Sequence, residues 1–404
     1  MNWQFATAGR VVFGRGASQQ IGQHAARLGL RRTLIVSDVN LTRLPAFATL
    51  VRSLEQEGIA VGIFDGCQPE PPVECAVAGL HSAVAHRADA IIALGGGSNI
   101  DVAKMMAVLV RFGGQPTDYF GFDRVPGPVL PLIACPTTAG TGSEVSHSSV
   151  LSDTSAGLKV SSLSPHLRPH VAIVDPAWTD SCPASVTAHS GIDALVHAIE
   201  AVTARPYTEM PTQGEITRAY EGSNAFTQLL AYEAIYRIGR SLVRAYRDGR
   251  DQLARDDMAY AALLAGMAFS NSGVALVHAL EYPVGVRTHC SHGEGNGLLL
   301  PHVMRFNLPS RLTEFARVGQ LLAGNYDMTD LQPDSIGPLA LDAVAQVEAL
   351  QRQLDIRTQL RLLGLAHDQL PEMANESFSI KRLMDTNPRT PSEADLLAIL
   401  QQAY

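Results

Sequence analysis

The pattern of apolar and polar positions divides the chain into two halves of different type. In the first half, short apolar runs rich in β-branched residues alternate with segments whose apolar residues recur every three or four positions. Such alternation predicts a parallel sheet covered by helices. The predicted strands are 33–37, 60–64, 90–94, 129–135 and 171–174, and the predicted helices are 19–28, 46–57, 73–86 and 101–110.

The second half carries only helical patterns. They follow Asp175, and the last of them begins at a capping box formed by Ser392 and Asp395. We therefore expect a Rossmann-like α/β dinucleotide-binding domain over residues 1–180 and an all-α domain over residues 181–404. A stretch with two prolines and two glycines, 206–224, predicts a long loop that is either functional or disordered. The predicted helices are 186–204, 224–248, 252–270, 311–324, 336–364 and 392–403.

Composition narrows the class of protein. The 404 residues include 31 basic and 39 acidic side chains, a net charge of −8. Without a basic cluster the chain lacks the footprint of a nucleic-acid or anionic-membrane partner. The five cysteines show no CxxC spacing, and neither a signal peptide nor a membrane-spanning apolar run is evident. We expect a cytoplasmic protein with reduced thiols that acts on a small molecule.

A glycine run marks the first candidate site. The apolar run 91–94 leads directly into Gly95, Gly96, Gly97 and Ser98, and a helical pattern containing Asp101 follows. Glycines at a strand-to-helix turn let backbone amides approach a ligand, and the start of a helix attracts an anion. We favour a pyrophosphate site over a tight turn that merely requires glycine.

Two further segments fit a nucleotide site but have simpler explanations. The segment 136–144 follows a predicted strand and is dense in small and hydroxyl residues, among them Thr137 and Thr138, which suits either ligand contacts or a turn. Asp38 follows the strand 33–37, where an acid can accept from ribose hydroxyls and repel a 2′-phosphate, although a helix cap explains it equally well. The ribose interpretation predicts NAD in preference to NADP.

A set of four side chains suggests a metal site. Asp193 and His197 stand four apart in a helical pattern and so share one face. His278 and His292, fourteen residues apart, lie in apolar surroundings on adjacent elements. One carboxylate with three imidazoles suits Fe²⁺ or Zn²⁺. The chain has 13 histidines, so each of them taken alone is more simply a surface or core residue.

Four ordered motifs together resemble the iron-containing (group III) alcohol dehydrogenase family over nearly the whole chain. The resemblance implies NAD and a catalytic metal in a protein with an α/β and a helical domain, assembled as a homodimer or larger. It places the metal ligands at Asp193, His197, His278 and His292, and the cofactor contacts at Asp38, Gly95, Gly96, Gly97, Ser98, Asp101, Thr137, Thr138 and Lys159. The motifs are 95–104, 136–144, 191–197 and 300–307.

Within the family, the segments 216–224 and 277–283 resemble the hydroxyacid-oxoacid transhydrogenase branch. Tyr282 stands where many family members carry the histidine of the proton relay, a departure from the family pattern, and our hypothesis is that the relay to solvent runs through Tyr282 or His289 instead. The branch suggests a small hydroxy acid as substrate, with Arg218 as a clamp for its carboxylate, although a solvated or interface arginine is an equally good interpretation.

These features predict hydride transfer between an alcohol or small hydroxy acid and a nicotinamide, with His278 and Tyr282 in the catalytic set. A transhydrogenase that retains its NAD is one alternative. A zinc polyol dehydrogenase of the glycerol type and a cyclase of the dehydroquinate synthase type share a related fold, but the motifs 136–144 and 300–307 disfavour both. A nucleotide-binding module without activity is the non-enzymatic alternative.

Overall fold

The computed structural model describes residues 2–153, 158–211 and 218–404, which divide into two compact units. One unit is Thr7–Ser181, and the other is Cys182–Tyr404 together with the segment before Thr7. That segment is fixed by Asn271, which accepts from the Ala6 amide at 2.8 Å and donates to its carbonyl at 2.9 Å. The predicted domains, 1–180 and 181–404, put Ala6 and Asn271 in different domains, whereas the structure puts both residues in the helical unit.

The first unit contains a six-stranded, fully parallel sheet in the order β1-β9-β6-β4-β2-β3. Apolar side chains cover both faces, as expected for a parallel sheet between helices. A second sheet has the order β5-β8-β7. The strands are β1 (Val11–Phe13), β2 (Arg32–Val36), β3 (Ala60–Phe64), β4 (Ala90–Gly95), β5 (Gly121–Phe122), β6 (Leu132–Pro136), β7 (Ser148–Asp153), β8 (Leu158–Leu163) and β9 (Val171–Val174), and the helices are α1 (Ile21–Arg27), α2 (Val39–Thr42), α3 (Pro45–Gln56), α4 (Val73–His86) and α5 (Gly97–Phe112).

The predicted α/β class is confirmed, with corrections at particular elements. The strand predicted to start at 129 starts at Leu132, because Pro131 cannot donate to a ladder. The helix predicted from 101 begins four residues earlier, at Gly97, the last glycine of the turn. The strands β1, β5, β7 and β8 were not predicted, since they are short or partly polar.

The order in which successive strands join the sheet reverses at β2. From β2 the chain passes to β3 on one side and then crosses back to β4 on the other. In open parallel sheets, ligands bind outside the carboxyl ends of the strands at such a switch point. The glycine turn follows β4 and Asp38 follows β2, so both lie at this point.

The second unit is helical, as predicted. Helices α9 and α10 were not predicted, because Pro283 and Pro301 lie inside them. The predicted helix 336–364 ends at Gln353, and Asp355 then adopts a positive φ of 56°. The helices are α6 (Ala184–Thr203), α7 (Ala225–Arg247), α8 (Gln252–Ser272), α9 (Leu276–Thr288), α10 (His292–Asn307), α11 (Leu312–Leu322), α12 (Pro333–Gln353), α13 (Leu370–Ser379), α14 (Lys381–Thr386) and α15 (Glu393–Ala403).

In the part of the chain that the structure describes, no single helix is both long and apolar enough to cross a membrane. The consecutive helices α8 and α9 reach the required length and composition only as a pair, and they are bent by 105° at their junction.

Candidate active-site residues

The turn after β4 requires glycine at two of its three positions. Gly95 has a φ of +151°, and a Cβ there would lie 2.0 Å from Nδ2 of Asn99. A Cβ on Gly97 would lie 2.9 Å from Cγ2 of Thr141. Gly96 is the N-cap of α5, a sixteen-residue helix. We call Gly95–Gly97 and the first turn of α5, which includes Ser98, the nucleotide cradle, because close-packed backbone at a helix start suits a phosphate.

Asp38 is held by three donors at the carboxyl end of β2. Its Oδ1 accepts from the amides of Asn40 (2.9 Å) and Leu41 (3.3 Å), so it caps the short helix α2. Its Oδ2 accepts from Nδ2 of Asn99 at 3.0 Å, and the same nitrogen donates to the carbonyl of Leu94 at 3.1 Å. Asn99 therefore ties the acidic side chain directly to the nucleotide cradle, a connection that sequence reasoning missed.

The segment 136–144 is fastened to the cradle from two directions. The amide of Thr137 donates to the carbonyl of Gly95 at 3.0 Å, and Thr138 side-chain atoms lie 3.5 Å from the Cβ position of Gly96. On the other side, the hydroxyl of Ser143 donates to Oδ1 of Asp101 at 2.5 Å. The second carboxylate oxygen of Asp101 accepts from the amide of Val150 at 2.9 Å. In this structure Asp101 thus supports the loop, while its predicted contact with the cofactor stays a prediction.

A fully buried lysine completes this support. Nζ of Lys104 donates to the hydroxyls of Ser143 and Ser146 and to the carbonyls of Ser146 and Ser148, at 2.7–3.1 Å. Burial lowers the pKa of Lys104 to about 8, although Asp101 and Glu144 act to raise it. Burial also raises the pKa of Glu144 to about 7. The lysine joins α5 to the loop through buried polar contacts, which are strong where water is excluded.

Lys159, a predicted cofactor contact, lies on β8. Its Nζ is 2.7 Å from Oε2 of Glu70, and its side chain is 5% exposed. The loop that carries Glu70 is attached to the adjacent strand β7, since Ser152 donates its amide to the carbonyl of Pro71 at 2.8 Å. The structure therefore gives Lys159 a carboxylate partner within the protein, and a role with the cofactor stays a prediction.

In the helical unit, α6 presents two buried side chains on one face. Oδ2 of Asp193 is 3.9 Å from Nδ1 of His197. The His197 ring stacks on Phe269 and on His278, with ring centroids 4.2 and 4.9 Å apart. Burial lowers the pKa of His197 to about 4, so the ring is neutral near pH 7 and has a lone pair to donate.

The third and fourth side chains come from α9 and α10. Ligand atoms of Asp193, His197 and His278 all lie within 4.8 Å of one another. Nε2 of His292 lies 3.9 Å from Oδ1 of Asp193, and the rings of His278 and His292 are 5.2 Å apart. Burial alone would raise the pKa of Asp193, but the three imidazoles and a hydrogen bond from Asn296 hold it below its usual value. We call Asp193, His197, His278 and His292, the four side chains predicted to bind a metal, the metal centre.

Two buried carboxylates orient the imidazoles of this centre. Nδ1 of His278 is 2.6 Å from Oε2 of Glu200, and Nδ1 of His292 is 2.5 Å from Oε2 of Glu281. A carboxylate only accepts hydrogen bonds, so each Nδ1 carries the hydrogen and the neutral ring keeps a lone pair at Nε2. This is how metal-binding histidines are commonly oriented.

The side-chain amide of Asn296 lies where the lone pairs of the two imidazoles point toward the same place. Its Nδ2 is 2.8 Å from Oδ1 of Asp193, 3.0 Å from Nε2 of His292 and 3.4 Å from Nε2 of His278. Its Oδ1 is buried and has no hydrogen-bond partner among the residues that the structure describes. One electropositive group thus lies against a carboxylate oxygen and two imidazole nitrogens, a donor set that fits a divalent cation such as Fe²⁺ or Zn²⁺.

The remaining predicted residues lie around the centre in different ways. Tyr282 is half-buried, with its ring centroid 6.4 Å from that of His292. His289 is exposed at the end of α9. Nη1 of Arg218 lies 3.3 Å from Oε2 of Glu221, and its side chain is 6% exposed, so the predicted clamp already faces a carboxylate of the chain. Ile216 and Thr217 of the segment 216–224 lie outside the described residues.

Comparison with known proteins decides the family. A family model described as "Iron-containing alcohol dehydrogenase" matches residues 8–176, and one described as "Fe-containing alcohol dehydrogenase family, C-terminal" matches residues 187–404. The chain belongs to the iron-containing alcohol dehydrogenase family. This confirms the family-level resemblance of the sequence and makes the chain an oxidoreductase of the alcohol dehydrogenase type.

Relatives of this alcohol dehydrogenase match over almost their full length. A long-chain-alcohol dehydrogenase of Geobacillus thermodenitrificans is 36% identical, with 98% of this chain and 96% of the relative covered. An NAD-dependent methanol dehydrogenase of Bacillus methanolicus is 32% identical, with 97% of each covered. A crystal structure of 1,3-propanediol oxidoreductase superposes with a TM-score of 0.91 at 32% identity, and all of both chains is covered.

Several residues of this alcohol dehydrogenase site escaped sequence reasoning, namely Asn99, Glu200, Glu281 and Asn296. Three of them carried a usable signal: Glu200 stands three residues after His197, and Asn296 four after His292, so each continues a helix face that already holds a predicted ligand. Glu281 likewise stands three residues after His278. An acidic or amide side chain at such a position in an apolar stretch requires a partner.

Proposed function

We propose that this alcohol dehydrogenase holds one divalent cation at the metal centre and moves a hydride between an alcohol, or a small hydroxy acid, and NAD. The observation that carries the proposal is the convergence of Asp193 Oδ1 with the Nε2 atoms of His278 and His292, whose Nδ1 atoms are held by carboxylates. Such an arrangement is costly to bury unless it serves a cation.

The side chains that would hold the cation are Asp193, His197, His278 and His292. A cation there supplies a Lewis acid for the hydroxyl oxygen, and NAD supplies the hydride acceptor. Nitrogen and oxygen donors accept both Fe²⁺ and Zn²⁺; the family match leads us to propose Fe²⁺ first. Tyr282 lies beside His292 and is half-buried, so its phenol can pass the substrate's hydroxyl proton toward solvent. The exposed His289 is the other candidate for this step.

We assign NAD to the nucleotide cradle at the switch point of the parallel sheet. The pyrophosphate would take the amides of the turn Gly95–Gly97 and of Ser98, with Thr137 and Thr138 on the neighbouring segment. Asp38 would accept from the ribose hydroxyls and repel a 2′-phosphate, which favours NAD over NADP. Lys159 is a further proposed contact. The methanol dehydrogenase relative is NAD-dependent by name, which supports this choice.

The transhydrogenase alternative is the second candidate, and the burial of Arg218 and Tyr220 in the segment 216–224 supports it. Tyr220, two residues after Arg218 in the described part of the segment 216–224, is buried. Burial raises the pKa of Tyr220 to about 12; Arg382 opposes the shift, and the charges of Tyr282 and Glu200 add to it. A hydroxy acid bound there would have to displace Glu221 from Arg218.

The test is a substrate screen on protein stripped of metal and then reloaded anaerobically with Fe²⁺ or Zn²⁺. We expect NADH absorbance to appear with alcohols only after reloading. Full activity of the stripped protein would contradict the metal proposal. Turnover of a hydroxy acid with an oxoacid acceptor, without added NAD, would identify a transhydrogenase instead of a simple dehydrogenase.

A further inference from the structure

Glu281 is a fully buried carboxylate beside the metal centre. Its side chain is 0% exposed, and its Oε2 lies 2.5 Å from Nδ1 of His292. It follows His278 by three residues on α9, so one helix face provides both a candidate ligand and an acceptor for the ligand on α10. A carboxylate buried this completely is expensive to retain unless its hydrogen bond does something for the protein.

The fit of Glu281 requires a glycine on the opposite helix. A Cβ on Gly295 of α10 would lie 2.9 Å from Cγ of Glu281, closer than real contacts allow. The absence of a side chain at position 295 therefore lets the glutamate stem pass between α9 and α10. Glu281, Gly295 and His292 therefore fit one another where α9 and α10 pack together.

A second buried carboxylate, Glu200, accepts a hydrogen bond from Nδ1 of His278 in the same way. Glu200 accepts from Nδ1 of His278 at 2.6 Å and from the amides of Ala275 and Val277 at 2.9 and 2.7 Å. The side chain of His278 is only 4% exposed, whereas that of His292 is 30% exposed and stands at the first position of α10. The more exposed imidazole has less packing to orient it and depends more on its hydrogen bond.

We propose that Glu281 is a positioning residue of the metal centre, which holds His292 with Nε2 directed toward the cation and adds a negative charge that the cation does not coordinate. Partners of this kind usually change metal affinity 10–100-fold. The inference rests on the proposed function, since it presupposes that the centre binds a divalent cation.

The experiment measures metal binding on the full chain, independent of activity. Apo protein is titrated with Zn²⁺ against a chromophoric chelator, and Co²⁺-loaded protein is followed by its visible absorption. Glu281→Ala should bind Zn²⁺ about 10–100-fold more weakly and show an altered Co²⁺ spectrum. Glu281→Gln, which keeps the size and one acceptor oxygen, should fall between Ala and wild type.

A matched control is Glu348→Gln, which removes the charge that pairs with Arg305 on the same helix as His292. It should leave both readouts unchanged. Unaltered Zn²⁺ affinity and Co²⁺ spectrum in both Glu281 variants would overturn the inference while the proposed function stands. Absence of Zn²⁺ and Co²⁺ binding by wild type would remove the proposed function itself. If Glu281→Ala fails to fold, the Gln variant decides alone.

Discussion

The metal centre and the nucleotide cradle are built from different parts of the chain. The metal centre consists of side chains on α6, α9 and α10, oriented by Glu200 and Glu281. The cradle consists of backbone atoms, and its shape depends on the absence of a Cβ atom at Gly95 and Gly97. A small divalent ion is recognised by a few strong donors, whereas an extended phosphate is recognised by many amides.

This difference predicts how each region responds to change. The metal centre depends on the donor atoms of its side chains, so a side chain of similar shape that lacks the donor atom cannot replace one of them. The cradle depends on close approach, so addition of a single methyl group is the damaging change. Side-chain support exists in the cradle too, but Lys104 and Asn99 act there by fastening backbone segments together.

The largest effect is expected for His278→Ala in the metal centre. Loss of this imidazole removes a proposed ligand and one of the two rings that stack on His197, and it leaves Glu200 with the amides of Ala275 and Val277 as donors among the described residues. We expect loss of bound metal and an activation free energy higher by about 4 kcal/mol, which lowers kcat on the order of 10³-fold. Metal content and the NADH assay are the measurements, with the exposed His367 replaced by Ala as the control. A variant that keeps its metal and its rate would contradict the assignment.

A smaller effect is expected for Gly97→Ala in the cradle. The new methyl group would lie 2.9 Å from Thr141, so the loop or helix must shift by several tenths of an ångström. Overpacking of this kind destabilises the fold by about 1–3 kcal/mol. Because the shift also displaces the amides proposed to hold the pyrophosphate, we expect NAD to bind roughly tenfold more weakly. Metal content should not change. NADH fluorescence titration measures the affinity.

Gly337→Ala provides the comparison for that variant, since within the described parts of the chain no atom outside its own stretch of α12 lies within 4 Å of its Cβ position. This change should be neutral or slightly stabilising, because alanine favours helix. Equal NAD affinity in the Gly97 variant and wild type would contradict the proposal that NAD binding needs close approach of the backbone at Gly97.

The sequence predicts those parts of both regions that depend on local pattern. The strand-to-helix turn at Gly95–Gly97 and the helical pair Asp193 and His197 are readable because their spacing within one element decides their geometry. The structure brings Asp193, His197 and His278 together, but the identity of the bound ion stays a prediction.

The remaining parts depend on packing between elements far apart in the chain. Helices α9 and α10 were missed because internal prolines weaken the local signal, and tertiary contacts stabilise them nonetheless. The partners Glu200 and Glu281 contact their histidines across helices, 78 and 11 residues away in sequence. A single sequence does not indicate which buried acid faces which imidazole.

The smallest effect tests the one acidic side chain assigned to ribose recognition. Asp38→Ser keeps a helix-capping oxygen for α2 but removes the negative charge and the contact with Asn99. A 2′-phosphate should then be tolerated, with the ratio of kcat/KM for NAD to that for NADP falling about tenfold, or roughly 1.4 kcal/mol. Asp38→Ala, which loses the cap as well, separates the charge effect from a loss of local structure. A ratio that stays constant in the Ser variant would mean that the carboxylate acts only as a cap, and the cradle would then owe its nucleotide preference to backbone alone.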